Sequence, residues 1–264
     1  MGPSALRIAG LHDALERIDW AVKDRGDLPI AAPETIASGG SGAKFLPLIS
    51  ETCTRLADEV QDIVQAGDFP LVLGGDHSIA IGTLSGLATH LRERGDESQQ
   101  PRIGVVWFDA HGDINTPQTS PSGNIHGMPV ACLLGDGPAE LTDIGFPGAK
   151  LDPSCFCQVG LRDIDEQEKK LLRASQVHCY TMAEIDRRTM AVVMDEVIEL
   201  TQSVDWLHVS FDIDSVDPRI APGTGTPKLG GLTYREAHLA MEMLASTGRV
   251  ASLELVEVNP TLDD

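Results

Sequence analysis

Two short stretches of the sequence place acidic and imidazole side chains at alternate positions directly after an apolar run. Asp109, His111 and Asp113 follow "RIGVVWF" in "DAHGD", and Asp212 and Asp214 follow "VDWLHVSF" in "DID". In an extended backbone, positions i, i+2 and i+4 project to the same side of the chain. Each stretch therefore predicts a local clamp of side chains that can bind a cation.

Two more residues of the same chemical types follow other apolar stretches: His77 after "FPLVLGGD" and Glu257 after "ASLELV". The candidate metal ligands are His77, Asp109, His111, Asp113, Asp212 and Asp214. A lone aspartate at a strand end more often caps a helix, but a cluster of carboxylates without compensating charge would repel strongly. Because the set contains no cysteine, it suits a hard divalent ion such as Mn²⁺. Six ligands predict a pair of ions, about 3.5–4 Å apart.

These residues need a sheet whose strand ends meet at one edge. Continuous apolar runs predict strands at 69–75, 102–109, 155–161, 177–181, 204–212 and 250–258. Helical spacing predicts helices at 50–66, 78–94, 165–174 and 182–202, and another between Thr233 and about Gly248. Thr181 with Glu184, and Thr233 with Glu236, have the spacing of capping boxes.

The alternation of strands and helices indicates an α/β fold, a single three-layer α/β/α domain with a mostly parallel sheet over residues 1–264. The stretch 36–44, "IASGGSGAK", is followed at once by a helical pattern, so it predicts a surface loop rather than a domain boundary. Ligand sites in such sheets lie beyond the carboxyl ends of the strands. Four of the predicted strands end there in metal-capable residues.

Composition excludes several classes of partner. The formal net charge of -20, from 20 Lys+Arg against 40 Asp+Glu, argues against binding to nucleic acid or an anionic membrane. No apolar run is long enough to span a bilayer, and "MGPSALRIAG" does not have the pattern of a signal peptide. Five scattered cysteines predict buried free thiols in a reducing cytoplasm.

Six motifs stand in this order along the sequence: "GGDHSIAIGT", "DAHGDINT", "SPSGNIHGMP", "SFDIDSVDP", "GTGTPKLGGLTYRE" and "EVNPTL". With them the chain resembles the arginases of the ureohydrolase family, and the bacterial arginases in particular, over nearly its whole length. The resemblance begins at "GPSALRIAGL" and ends shortly after Glu257. It therefore predicts a chain without the N-terminal strand and C-terminal helix of its relatives.

The resemblance implies two Mn²⁺ ions per subunit. His77 and Asp113 would hold one ion, His111 and Asp214 the other, and Asp109 and Asp212 would bridge both. A hydroxide between the ions would attack the guanidinium carbon of L-arginine, giving L-ornithine and urea.

The resemblance also implies roles for residues outside the metal set. Glu257 would pair with the guanidinium and His126 would pass a proton to the leaving amine, so Asp113, His126 and Glu257 are the implied catalytic residues. The implied substrate-binding residues are Asn115, Ser120, Ser122, Asp165, Glu168, Thr226 and Glu257. Those in the loop 115–124 would bind the α-carboxylate, and those at 165 and 168 would meet the α-amino group.

Three alternatives remain open at this point. An agmatinase or another guanidino-compound hydrolase would share the metals and the chemistry, although the loop 115–124 favours a substrate with an α-carboxylate. A single-metal deacetylase of related fold uses adjacent histidines, and none of the eight histidines here are adjacent. A shortened, non-catalytic arginase-like protein is the third. Relatives also form trimers or hexamers through positions that match Asp186 and Arg235, so the resemblance implies a homo-oligomer.

Overall fold

A single parallel sheet organises the computed structural model, which describes residues 1–31, 38–40, 42–95 and 102–263. Its strands are β1 (Leu71–Leu73), β2 (Ile103–Phe108), β3 (Phe156–Leu161), β4 (His178–Thr181), β5 (Trp206–Asp212) and β6 (Val250–Val256). They lie in the order β1-β6-β5-β2-β3-β4, and every pair is parallel. All six predicted strands are confirmed, each within a few residues of its predicted ends.

The helices of the described chain lie between these strands and before β1. They are α1 (Gly2–Ile8), α2 (Leu11–Glu16), α3 (Leu46–Gln65), α4 (Ala80–Arg94), α5 (Pro129–Leu133), α6 (Ala139–Thr142), α7 (Glu166–Ala174), α8 (Met182–Arg188), α9 (Met190–Leu200) and α10 (Tyr234–Ser246). The sequence did not predict α1, α2, α5 or α6. None exceeds 7 residues, which is too short for a helical repeat to show.

Helices cover both faces of the sheet, as predicted. One core cluster joins α3 and α4 to Val105 and Trp107 of β2, and another joins α8, α9 and α10 to Val106 and Phe108 of the same strand. Alternate residues of β2 thus face opposite layers, and all of its residues are buried. This burial on both sides explains why the strands read as continuous apolar runs.

The predicted helix at 182–202 is wrong as a single element. Thr189 has φ 73° and ψ 151°, which ends α8 and begins α9. Val193 and Val197 are nevertheless fully buried, and Leu200 packs against the same cluster. The apolar spacing correctly predicted which side of the helices faces the core. It could not predict the break in the backbone at Thr189.

Other expectations concern the surface and the thiols. All five cysteines are free, and four of them are buried. No helix in the described part of the chain is both long and apolar enough to cross a membrane. The loop predicted at 36–44 lies partly outside the described residues. Within its described part, the Lys44 N–H donates to the Gly123 carbonyl over 2.8 Å.

Candidate active site

A cleft at the carboxyl ends of β1, β2, β5 and β6 brings together nearly all of the predicted site residues. It is lined by His77, His111, Asp113, Asn115, Ser120, Pro121, Ser122, His126, Gly127, Asp165, Glu168, Asp212, Asp214, Thr226 and Glu257. Asp109, the remaining predicted ligand, is 1% exposed. The strand order accounts for this cleft, because β6 lies between β1 and β5 and places Glu257 beside His77.

The imidazole of His77 enters the cleft from a short turn after β1. Asp76 begins this 3₁₀ turn (His77–Ile79) by accepting a hydrogen bond from the Ser78 N–H over 3.1 Å. The backbone N–H of His77 donates to Glu257 Oε1 over 2.9 Å. The side chain is 1% exposed, so the turn delivers a buried imidazole.

One ring nitrogen of His77 faces carboxylates from two strands. Its Nδ1 lies 3.0 Å from Asp109 Oδ2, 3.2 Å from Asp113 Oδ2 and 3.2 Å from Asp212 Oδ2. A single nitrogen carries at most one proton, so it cannot satisfy all of these oxygens.

His111 forms the centre of a second group. Its Nδ1 lies 3.3 Å from Asp109 Oδ1 and 3.0 Å from Asp214 Oδ2, and the side chain is 21% exposed. Asp109 thus presents one oxygen to each imidazole and joins the two groups. Thr226 Oγ1 donates to Asp214 Oδ2 over 2.8 Å, so the threonine orients a carboxylate of this group.

The donor set fits divalent metal ions. Within each of the groups His77–Asp109–Asp212 and Asp109–His111–Asp214, one ligand atom per residue lies within 4.8 Å of the others. Asp113 Oδ2 is buried and makes no hydrogen bond in the described structure, as expected of an oxygen that binds a cation. Imidazole and carboxylate groups at these positions could therefore hold metal.

Burial and like charge shift the protonation of the carboxylates. Burial and the charge of Asp109 raise the pKa of Asp113 to about 8. Burial, Asp109 and Asp214 raise the pKa of Asp212 well above its ordinary value. For His111, burial lowers the pKa, but Asp109 and Asp214 outweigh it and raise the pKa to about 12. A bound cation would favour the charged carboxylates and so oppose the burial and like charge that raise the pKa of Asp113 and Asp212.

The raised pKa of Asp113 predicts that the metal-free protein loses stability as pH rises. The unfolded chain releases this proton near pH 4 and the folded chain near pH 8. Between these values the folded state binds more protons, so the free energy of unfolding falls by up to about 1.4 kcal/mol per pH unit. Urea unfolding of metal-free protein at pH 5 and pH 8 should show a smaller difference in Asp113→Asn than in wild type. Equal differences would contradict the prediction.

Two of the site residues have strained backbone conformations. Asp113 has φ 51° and Glu257 has φ 61°, in the left-handed region that non-glycine residues rarely adopt. Strain of this kind costs about 1–3 kcal/mol and persists where the surrounding structure enforces it. The Asp113 carbonyl accepts a hydrogen bond from the Val130 N–H (2.9 Å), and the Glu257 N–H donates to the Gly75 carbonyl (2.8 Å). The two unusual conformations turn both carboxylates into the cleft.

Glu257 and His126 form a pair on the wall of the cleft. His126 Nδ1 lies 3.3 Å from Glu257 Oε1, with the side chains 30% and 12% exposed. Glu257 is the main cause that raises the pKa of His126 to about 9, and burial opposes it. This value is higher than the ordinary pKa of an imidazole, which suits proton transfer near neutral pH. The increase arises because the Glu257 carboxylate faces the imidazole and stabilises its protonated form.

The loop 115–124 presents two serine hydroxyls toward the cleft. Ser120 Oγ accepts a hydrogen bond from the Gly123 N–H (2.9 Å), and Ser122 Oγ accepts one from the Asn124 N–H (3.1 Å). Each O–H therefore remains able to donate to a ligand, although the two hydroxyl oxygens also lie 3.5 Å apart. The side chain of Asn115 is less available to a ligand, because its amide already donates to Asp165 Oδ2 over 2.8 Å.

Asp165 and Glu168 have a structural role that the sequence analysis did not predict. They form a capping box at the start of α7: Asp165 Oδ1 accepts from the Glu168 N–H (3.0 Å), and Glu168 Oε2 accepts from the Asp165 N–H (3.1 Å). Burial raises the pKa of Glu168 to about 7. Both residues still line the cleft, so the cap fixes where their carboxylates stand.

The sequence did not predict a role for three buried residues that lie beneath the cleft. Trp107 stacks on His77 with ring centroids 3.9 Å apart and donates through Nε1 to Asp109 Oδ2 over 3.0 Å. Ser210 and Glu254 lie below the metal-capable groups on β5 and β6, and both are fully buried. Their signal was polar residues at alternate positions inside "LHVSFD" and "ASLELV", which the apolar character of the runs concealed.

Comparison with known proteins agrees with this geometry. The arginase family model matches residues 1–264. The arginase of Bacillus caldovelox is 51% identical, over 100% of this chain and 86% of that protein. Its native structure superposes with a TM-score of 0.93 at 50% identity, again over 100% and 86% of the two chains. The arginase structure from Bacillus cereus gives a TM-score of 0.92 at 46% identity with the same coverage. The chain thus belongs to the arginase family.

Proposed function

We propose that this chain hydrolyses L-arginine to L-ornithine and urea, using two Mn²⁺ ions bound at the floor of the cleft. The observation that carries the proposal is the pair of imidazole–carboxylate groups that share Asp109, with the carboxylate of Glu257 on the adjoining wall. A cationic guanidinium needs that carboxylate, and hydrolysis needs an activated water beside it.

Six side chains would hold the ions. His77 and Asp113 would bind one ion, His111 and Asp214 the other, while Asp109 and Asp212 would contact both. Asp109 already directs one oxygen to each imidazole. When bound, such a pair of cations lowers the pKa of a water molecule and orients it as a nucleophile.

The remaining cleft residues would bind and orient the substrate. Glu257 would exchange its contact with His126 for an ion pair with the guanidinium, and Ser120 and Ser122 would donate to the α-carboxylate. Asp165 and Glu168, fixed by their capping box, would accept from the α-ammonium group. These contacts would hold the guanidinium carbon near the metal-capable side chains and so supply the orientation that hydrolysis requires.

His126 would hold the proton that the leaving group needs. The reaction forms a bond between carbon and the water oxygen and breaks the bond between carbon and the side-chain nitrogen of ornithine. That nitrogen leaves as an amine only if it gains a proton. His126 Nδ1 lies 3.3 Å from Glu257 Oε1, which supports a role for this imidazole beside a guanidinium that Glu257 would bind.

Urea release from L-arginine and from agmatine, after loading with Mn²⁺, tests this function. We expect arginine to be hydrolysed and agmatine to be a poor substrate. Comparable rates would favour a broader guanidino-compound hydrolase. If neither substrate yields urea in protein shown to contain Mn²⁺, the result would favour a non-catalytic protein.

The preference for arginine should depend on Ser120 and Ser122. Ser120→Ala combined with Ser122→Ala should lower kcat/KM for arginine by roughly 10–100-fold, since two hydrogen bonds contribute about 0.5–1.5 kcal/mol each and more to a charged group. Agmatine lacks the α-carboxylate and provides the internal control, with kcat/KM expected within about threefold of wild type. An equal loss for both substrates would show that the loop acts on the chemistry rather than on the carboxylate.

We propose that residues 1–264 form one catalytic domain that assembles into a cytoplasmic trimer or hexamer. Asp186 and Arg235 are exposed, and Arg235 contacts Glu242 of its own chain at 3.3 Å. Exposed ion pairs contribute about 0–1 kcal/mol, so Arg235 has a substantial effect only if an interface desolvates it. Arg235→Ala should shift the mass measured by light scattering toward the monomer at low concentration, without loss of bound Mn²⁺. An unchanged mass would contradict this role.

A further inference from the structure

A ladder of buried polar side chains runs beneath the metal-capable groups. On β5, His208 and Ser210 precede Asp212 at alternate positions, and on β6 the register places Ser252 opposite His208 and Glu254 opposite Ser210. His208, Ser210, Ser252 and Glu254 are all 0% exposed. Polar groups at these depths are costly unless they are paired, so their presence in a sheet interior needs a cause.

The ladder meets the metal site at His77. His77 Nε2 lies 2.7 Å from Ser210 Oγ, and the Ser210 hydroxyl donates to Glu254 Oε1 over 2.7 Å. A carboxylate only accepts, so the serine proton points to Glu254 and the serine oxygen is left to accept from His77. Glu254 therefore sets the direction of both hydrogen bonds.

That direction selects one tautomer of the imidazole. If Ser210 accepts, Nε2 carries a proton and Nδ1 can offer its lone pair to a cation. Nδ1 is the atom that faces Asp109, Asp113 and Asp212 at 3.0–3.2 Å. Trp107 holds the plane of the same ring by stacking at an interplanar angle of 12°. The ring plane of His77 and its tautomer are thus both fixed by residues that are not themselves metal ligands.

Glu254 has few other contacts that would explain its burial. His208 Nε2 lies 3.4 Å from its Oε1, while His208 Nδ1 is engaged with Ser252 Oγ at 2.8 Å. Glu254 Oε2 is buried and has no hydrogen-bond partner in the described structure. Removing a carboxylate from water for so little local compensation is consistent with a role at the site above it.

We propose that Glu254 is a positioning residue which, through Ser210, holds His77 in the orientation and tautomer that bind a metal ion. This inference rests on the proposed function only in taking His77 as a metal ligand. It assigns Glu254 and Ser210 no contact with substrate.

The test is a calorimetric titration of the chelator-treated protein with Mn²⁺. Ser210→Ala should weaken binding of at least one ion by about 10–100-fold, the usual effect of removing an outer partner of a ligand histidine. Ser210→Thr, which keeps the hydroxyl, should remain within about threefold of wild type. Ser252→Ala is the matched control, because it removes an equally buried hydroxyl from the neighbouring strand without touching Ser210.

Two further measurements separate positioning from general damage. In the Co²⁺-loaded protein, the exchangeable Nε2 proton of His77 should give a paramagnetically shifted resonance that exchanges faster with solvent deuterium in Ser210→Ala. At saturating Mn²⁺, KM for arginine should stay within about threefold. If Ser210→Ala fails to fold, Glu254→Gln keeps the side-chain volume and should still weaken Mn²⁺ binding about 10-fold, because an amide no longer dictates the serine proton.

The outcomes are distinct. Unchanged Mn²⁺ affinity in both Ser210→Ala and Glu254→Gln would overturn the positioning role and leave the proposed function intact. An equal loss in Ser252→Ala would also overturn it, since any buried hydroxyl would then suffice. A wild-type protein that binds no Mn²⁺ would instead overturn the proposed function.

Discussion

Asp212→Ala is expected to lose metal binding and arginine hydrolysis together, with kcat/KM at least about 1,000-fold below wild type. Asp212 Oδ2 lies 3.2 Å from His77 Nδ1, and its Oδ1 accepts from the Asp214 N–H over 2.7 Å. The substitution therefore removes one proposed ligand and releases the backbone of another, Asp214. A metal pair contributes several kcal/mol to the reaction, and each 1.36 kcal/mol is tenfold in rate. Bound Mn²⁺ per chain and urea release should be measured on the same samples.

Asp217→Asn is the matched control for this variant. Asp217 is also buried and follows the same strand, but it pairs with Arg219 and accepts from the Gly230 N–H over 2.8 Å. We expect it to lower the stability of the protein and to leave the Mn²⁺ content unchanged.

Removing the metal from wild type by chelation should abolish activity, and adding Mn²⁺ should restore it. Full urea release from metal-free protein would refute the metal-dependent mechanism.

His126→Asn is expected to lower kcat by about 100- to 10,000-fold while the protein keeps its full complement of Mn²⁺. General acid–base catalysis contributes rate factors of this size. Asparagine can hydrogen-bond to Glu257 but cannot donate a proton to the leaving amine. His178→Asn is the control, since His178 contacts the Ser154 carbonyl at 3.2 Å on the edge strand and does not line the cleft. Loss of Mn²⁺ from His126→Asn would show that the residue is a ligand instead.

The pH dependence of the wild type should identify the same proton. The pKa of His126 is raised to about 9 chiefly by Glu257. A protonated acid is required, so kcat/KM, which reports the free enzyme, should fall as pH rises through about 9. Once the guanidinium occupies Glu257, that support is withdrawn, and the corresponding decline in kcat should begin at lower pH. A variant without the imidazole should lack both declines.

The strands and the metal-capable side chains could both be predicted from the sequence. Strands buried on both faces must be apolar along their length, so β2 and β5 could be recognised from "RIGVVWF" and "VDWLHVSF" without knowledge of their neighbours. The polar residues that follow them stood out because they end these runs. Alternate spacing then placed Asp109 with His111, and Asp212 with Asp214, since an extended backbone fixes the side to which each residue projects.

Which of these side chains lie close together depends on the tertiary structure. Chain order does not give strand order, and the insertion of β6 between β1 and β5 brings Glu257 to His77 across 180 residues. The raised pKa of His126, the sharing of Asp109 between two imidazoles and the support of His77 by Glu254 all depend on such contacts. They arise between residues far apart in sequence, where local spacing carries no information. Burial then sets their strength, because a charge removed from water responds to whichever partner the fold provides.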